Sequence, residues 1–360
     1  MKIAIIGSGI SGLAAARTLN KIADITIFEK SRGIGGRIAT RRANPFTFDH
    51  GAQYFLVKNA DFKSFVSPYI KSGVVKRWDA YFKEFDEGKV ISERQWDHSF
   101  AHYVGAPSMN AFCKSLSDGL NIINNIRVQE VSNSNNGLKL FDENQGLLGT
   151  FDWVLSTIPS KQAVQILPSD SMIIEGISAI KMSACFTLML GFEKNPNLGF
   201  DAAMIHNEII SWVSVNSSKP DRNSNNFSLV IQSTNNWADK NLVMEKYAVK
   251  EKMIEEASSI LKTDINEAVH KEVHGWHFAN ASKRDLGVFI DHNMQIAACG
   301  DWCMHGRVES AYLSGKEMAD NIIKTINNFS FKNKIANSEV KMGTVKLRAV
   351  TSDNVVNVKP

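Results

Sequence analysis

Ile3-Ala4-Ile5-Ile6-Gly7-Ser8-Gly9-Ile10-Ser11-Gly12 opens the chain with an apolar run that leads straight into three glycines at G-x-G-x-x-G spacing. The run reads as a buried strand, and Leu13 to Leu19 reads as the helix after it. A second strand, Asp24-Ile25-Thr26-Ile27-Phe28, ends in Glu29. Strand, glycine turn, helix, strand and terminal acid together form the dinucleotide-binding βαβ unit, in the context that gives the glycine motif its meaning. Gly7 serves the tight turn, Gly9 lets the backbone approach a pyrophosphate, and Gly12 lets the helix lie close on the strand. Ile10 and Ser11 stand at the helix N-terminus, where free N–H groups and a partial positive charge suit phosphates. Glu29 is placed to accept from both ribose hydroxyls.

Lys30-Ser31-Arg32-Gly33-Ile34-Gly35-Gly36-Arg37 follows directly. Gly35 and Gly36 permit close backbone approach, and Arg37 carries fixed donors for a pyrophosphate. Near the other end, Ile296-Ala297-Ala298-Cys299-Gly300-Asp301 reads as a buried strand ending in Gly-Asp. Gly306-Arg307-Val308-Glu309-Ser310-Ala311 then starts a helix. In this order the motifs resemble those of the flavoprotein family that includes amine oxidases, phytoene desaturases and renalases. The resemblance implies an α/β fold: a Rossmann-type FAD-binding domain with a p-hydroxybenzoate-hydroxylase-like antiparallel-sheet substrate domain. It implies non-covalent FAD, with Asp301 on the ribityl chain. Val308, Glu309 and Ala311 would offer the helix start to the flavin pyrimidine, Val128 would meet adenine through its backbone, and Lys30 would flank the ribose acid.

Asp49-His50-Gly51-Ala52-Gln53-Tyr54-Phe55 follows a short strand, Phe46 to Phe48, and its small residues would admit the flavin ring. Gln53, Tyr54 and Phe55 join the cofactor set on that basis. This string looks like the renalase-like branch. So do Trp212-Val213-Ser214-Val215-Asn216-Ser217-Ser218-Lys219-Pro220-Asp221-Arg222, Val230 to Trp237 and His274-Gly275-Trp276-His277-Phe278-Ala279. The chain is more compact than most amine oxidases and desaturases. Relatives often carry arginine at the position of His277, tyrosine at that of Phe278 and histidine at that of Gln232. The resemblance implies an oxidase that takes hydride from an aberrant dihydronicotinamide dinucleotide and gives H2O2 with O2 as acceptor. Trp276 and His277 are expected near the flavin, with Trp212, Arg222 and Gln232 in the substrate lobe. A small amine oxidase, or an FAD-holding protein without this activity, are the alternatives.

The 360 residues suffice for two lobes, and 44% hydrophobic with 22% charged residues suits a globular protein. The expected division gives residues 1–63, 101–164 and 271–328 to the FAD-binding domain. Residues 64–100 and 165–270 go to the substrate domain, and 329–360 to a C-terminal tail. Within the tail Val340 to Val350 reads as a strand or as disorder. Ser108 is expected to cap a helix through Leu116, Ile122 to Val131 to form one strand, and Phe151 to Pro159 another. A net charge of +4 with interspersed signs argues against a nucleic-acid partner. Without an apolar run of about 18 residues no membrane span is expected. Met1 leads into a strand rather than a signal peptide, so a cytoplasmic protein is expected. Four cysteines, Cys113, Cys185, Cys299 and Cys303, read as buried reduced thiols. No metal-ligand spacing is present among the histidines.

Overall fold

The computed structural model describes the backbone of residues 1–349 and the side chains of residues 1–328. Residues Met1–Met318 form one compact unit. The described residues after it continue the helix Val308–Ala349. That helix replaces the strand or disorder expected from Val340, and Val350 itself lies outside the described residues.

The first sheet has six strands in the order Phe289–Asp291, Ile296–Ala298, Trp153–Ser156, Lys2–Ile6, Asp24–Glu29, Asn121–Asn124. All its pairings are parallel except the first. Ile3, Ala4 and Ile5 are fully buried, which is why Lys2–Ile6 reads as an unbroken apolar run rather than an alternating one. The helix Ile10–Leu19 leaves the first strand and presses Leu13, Ala15, Ala16 and Leu19 against the sheet.

Three expected elements differ. Asn125, at φ +59°, breaks the anticipated strand from Ile122 into Asn121–Asn124 and Val128–Ser134. Asp152 separates Leu147–Phe151 from Trp153–Ser156, and its carboxylate accepts from the Lys2 backbone N–H at 2.6 Å. The helix Ala111–Ser117 starts after Asn110 rather than Ser108, whose hydroxyl instead donates to Asn110 Oδ1.

The second sheet has seven strands in the order His270–Ala281, Met182–Phe192, Phe227–Ser233, Ile210–Val215, Ala202–His206, Tyr81–Asp86, Lys89–Gln95. Only the pairing of Ala202–His206 with Tyr81–Asp86 is parallel. The hairpin Tyr81–Gln95 turns at Glu87 and Gly88, both at positive φ, so the aromatic-rich insertion supplies this sheet's edge. One face packs on the helix Lys246–Leu261 through Val249, Met253, Ile254, Ala257 and Ile260.

The expected domain boundary at residue 271 falls inside a strand. His270–Ala281 pairs along Met182–Phe192 and so belongs to the substrate sheet, not to the nucleotide fold. The helix Ala60–Lys71 departs in the other direction. Its Phe62 packs on Phe55 and Tyr312 beside the nucleotide elements, although residues 64–71 were assigned to the substrate domain. Apolar periodicity shows that an element is buried but not which neighbour buries it.

Candidate functional site

The glycine turn has the geometry its spacing implies. Gly7 sits at φ +103°, a region that a side chain resists. A Cβ at Gly12 would lie 2.1 Å from the Gly7 carbonyl oxygen, whereas one at Gly9 would meet nothing within 4 Å. The loop is therefore closed on the helix side and open at Gly9, where a pyrophosphate needs room. No side chain caps the helix Ile10–Leu19, so its first N–H groups remain available to an anion. Ile10 and Ser11 are buried in that turn, and a Cβ at Gly315 would lie 2.2 Å from Ser11 O.

Glu29 is buried at the strand end. Its Oε2 accepts from the Ser8 N–H at 3.0 Å and the Ser8 hydroxyl at 2.7 Å, and Oε1 accepts from the Ser31 N–H at 2.8 Å. These bonds fix the carboxylate beside the turn. Lys30 next to it is exposed, and Val128 is buried at the start of the strand Val128–Ser134.

Gly35 and Gly36 both take positive φ and turn the chain into Arg37. The Arg37 guanidinium donates to both oxygens of Asp301, at 2.9 and 2.5 Å, and to Ala279 O at 3.0 Å. The two motifs from opposite ends of the sequence therefore meet as a bidentate pair, with the arginine side chain 30% exposed. Gly300 precedes Asp301 with a Cβ position 2.3 Å from Trp302 Nε1, so glycine is required there. Trp302 is a core residue that donates to Ile158 O. The Glu309 carboxylate accepts from the N–H groups of Lys58 and Asn59. It holds the helix start, with Val308 and Ala311 half-buried.

Beside these groups stands an aromatic wall. Trp276 stacks on His50 at 5.1 Å between ring centroids and donates Nε1–H to the His50 carbonyl oxygen at 2.8 Å. His274 meets both rings edge-on, at 5.0 and 4.5 Å. Tyr54 contacts Trp96, His102 and Trp212 at 5.3, 4.7 and 5.6 Å, and His102 stacks on Trp96 at 3.5 Å. Burial lowers His50, His102 and His274 to about 4 each. Arg41 adds to the effect at His50 and His274, and Arg94 at His102. All three imidazoles are neutral at pH 7. Burial also raises Tyr54, which stays a phenol. Trp96 Nε1 and Trp212 Nε1 are buried without a hydrogen-bond partner in the protein.

Trp276 and Trp212 stand in this wall, whereas His277 does not. Its side chain is exposed because successive residues of a strand point to opposite faces. Trp276 and His277 cannot share one face of His270–Ala281, and the histidine in line with Trp276 is His274. That parity was readable in the sequence. Gln232 donates to Gly51 O at 2.8 Å, and Gln53 donates to the same oxygen at 2.9 Å. Phe55 is buried and exchanges backbone hydrogen bonds with Tyr103.

Arg222 follows the substrate-sheet strand Ile210–Val215, and its side chain turns inward. It is buried and donates to Asp49 Oδ2 at 2.6 Å, which makes it a structural cation rather than a group facing substrate. Asp49 and Lys219 were not anticipated as site residues, because their partners lie some 170 residues apart.

Comparison with known proteins fits this geometry. The family described as flavin containing amine oxidoreductase matches residues 81–323, and an NAD(P)-binding Rossmann-like domain matches residues 5–68.

This chain belongs to the flavin-containing amine oxidoreductase family.

The 4,4'-diapophytoene desaturase of Staphylococcus aureus (strain Newman) is 50% identical over 126 residues, 33% of this chain and 25% of the relative. The chain thus spans only a quarter of the length of such curated relatives. A putative protoporphyrinogen oxidase from Exiguobacterium sp. 255-15 superposes with TM-score 0.71 at 13% identity, covering 89% of this chain and 98% of that one. Putrescine oxidase bound to putrescine gives 0.66 at 12% identity over 90% and 99%. Reduced UDP-galactopyranose mutase gives 0.71 at 11% over 90% and 94%. At such identities the likeness is one of fold.

Membership of this family implies FAD as the cofactor, and the open turn at Gly9, the uncapped helix and the Arg37–Asp301 pair fit that group. Among the described residues, no helix is long and apolar enough to cross a membrane, and no cluster of metal ligands occurs. The four cysteines are buried and free of disulfides.

Proposed function

We propose that this family member is a renalase-like oxidase. It would remove hydride from an aberrant dihydronicotinamide dinucleotide and pass the electrons to O2, giving H2O2. The observation that carries the reading is the wall of flat rings with neutral imidazoles and unpartnered N–H donors. Such a wall suits a neutral planar ring that bears acceptor oxygens, as a carboxamide does. A dihydronicotinamide is already electron-rich, so no strong base has to act on it. Bound non-covalently, FAD supplies the hydride acceptor and its reoxidation by O2. The chain supplies the rest. Gly7, Gly9, Ile10, Ser11 and Gly12 hold the pyrophosphate, Glu29 the ribose, and Arg37 and Asp301 the pyrophosphate and ribityl chain. Gln53, Tyr54 and the Gly51 carbonyl line the ring's approach. Trp276, His274, Trp212 and Tyr54 orient the donor and exclude water.

Amine oxidation is the second reading. It is favoured by the tilted Tyr54–Trp212 pair at 5.6 Å, which could flank an aliphatic amine.

Anaerobic stopped-flow absorbance of the FAD-loaded protein separates them. Bleaching by 6-dihydroNAD but not by ordinary NADH, amines or an apolar polyene is the expected result. Bleaching by an amine alone, or by the polyene alone, overturns it.

A further inference from the structure

Asp49 is fully buried and surrounded by donors from three parts of the chain. Its Oδ1 accepts from Thr40 Oγ1 at 2.7 Å and the Met109 N–H at 2.9 Å. Its Oδ2 accepts from Arg222 Nη2 at 2.6 Å and faces Lys219 Nζ at 3.5 Å. The side chains of Asp49 and Lys219 are 0% exposed and that of Arg222 is 2% exposed. Two cations thus share one carboxylate, leaving a net charge of +1 in the interior. Such an arrangement is costly, and a fold retains it only where something offsets the cost.

The surplus charge is directed. Lys219 Nζ donates to Gln53 Oε1 at 3.1 Å, and Gln53 Nε2 donates to Gly51 O at 2.9 Å and to Asp49 O at 2.6 Å. A Cβ at Gly51 would lie 2.0 Å from Arg37 O, and the Ala52 N–H donates to that oxygen at 2.9 Å. The charge therefore rests on the loop that is built directly against Arg37, the partner of Asp301. The Lys219 ammonium also lies 5.3 Å over the Trp78 ring and donates to Asn216 Oδ1. No carboxylate other than Asp49 is in contact with it among the described interactions.

We propose that Lys219, held by Asp49 and Arg222, is a positioning residue that keeps a positive charge behind the flavin-anchoring loop and so favours the anionic reduced form of FAD. Its charge acts through Gln53 and the Gly51–Ala52 backbone rather than by contact with substrate. Burial, with Arg222 adding and Asp49 opposing, lowers the Lys219 ammonium to about 8. The charge is present at neutral pH and fades above it. The groups facing it are Asp49, Arg222, Gln53, Asn216 and Trp78; the Lys76–Asp221 pair is exposed.

The test is the two-electron reduction potential of bound FAD, measured by dye equilibration without any substrate, so that its result is independent of the renalase-like reading. Lys219→Met keeps the stem and leaves Asp49 and Arg222 as a one-to-one pair. The expected result is at least a tenfold loss in the equilibrium constant for reduction at pH 7, about 30 mV. The wild-type potential should fall more steeply with pH above about 8, and this extra slope should vanish in the variant. An unchanged potential in an FAD-loaded Lys219→Met protein overturns the proposal. If that variant does not fold, a wild-type potential without the added slope near pH 8 overturns it equally.

Discussion

Two acid–base pairs stitch this chain together, and they behave as opposites. Arg37–Asp301 joins the two ends of the nucleotide fold, with the guanidinium 30% exposed and bidentate. Asp49–Arg222 joins the nucleotide loop to the substrate sheet, with both side chains nearly inaccessible. The first pair can change partners when an anion arrives, because water and ligand reach it. The second cannot, and its work is mechanical and electrostatic. Exposure, more than bond length, separates a binding pair from a structural one.

The sharpest way to break this contrast is Asp49→Ala, which leaves two buried cations unpaired. It should cost about 3–5 kcal/mol of folding stability, read from denaturant midpoints. A loss below about 1 kcal/mol would place the pair with ordinary surface bridges. Arg37→Met should behave the other way. FAD affinity should fall by about 10- to 100-fold, from the loss of one charge-assisted contact set. The apoprotein's denaturation midpoint should stay near wild type, and a fluorescence titration with FAD checks both.

Acid should strike the buried groups. His50, His102 and His274 hold folded values near 4 against about 6.5 when unfolded. The unfolded chain binds more protons in that window, so stability is intact above about 6.5 and falls as pH drops toward 4. Asp49 adds a second loss below it. Burial would raise this carboxyl, but Lys219 and Arg222 hold it at about 2. Its contribution is present above about 3.9 and is lost as pH falls through 2. Thermal melts from pH 7 to 3 read both, and a flat profile down to pH 4 would contradict the neutral imidazoles. The smallest effects belong to the rim. Arg77→Ala removes an exposed pair with Asp79 and should leave the denaturation midpoint unchanged within measurement scatter.

The nucleotide end was legible because its information is local. Gly7 to Gly12, Glu29 and Gly35 to Arg37 sit within one βαβ stretch, and each physical task is written in spacing. The substrate side depended on register and long-range pairing. Strand parity, a local rule, puts His274 rather than His277 on the face of Trp276. Arg222 carries no local sign that it turns inward to Asp49, since the carboxylate lies 173 residues away. The boundary at residue 271 failed for the same reason. Alternation from Ala268 to Trp276 marks a strand, but only the pairing of His270–Ala281 with Met182–Phe192 says which sheet owns it.

The meeting of Arg37 with Asp301, and of Ser11 with Gly315, has a consequence for biosynthesis. The cofactor cradle is made from the first and the last parts synthesised of one compact unit. A nascent chain that has emerged only as far as residue 280 carries the glycine turn and the ribose acid but half a cradle. Flavin capture is then complete only after the helix that carries Gly315 has been made, and a fragment released before it holds the cofactor with half the contacts.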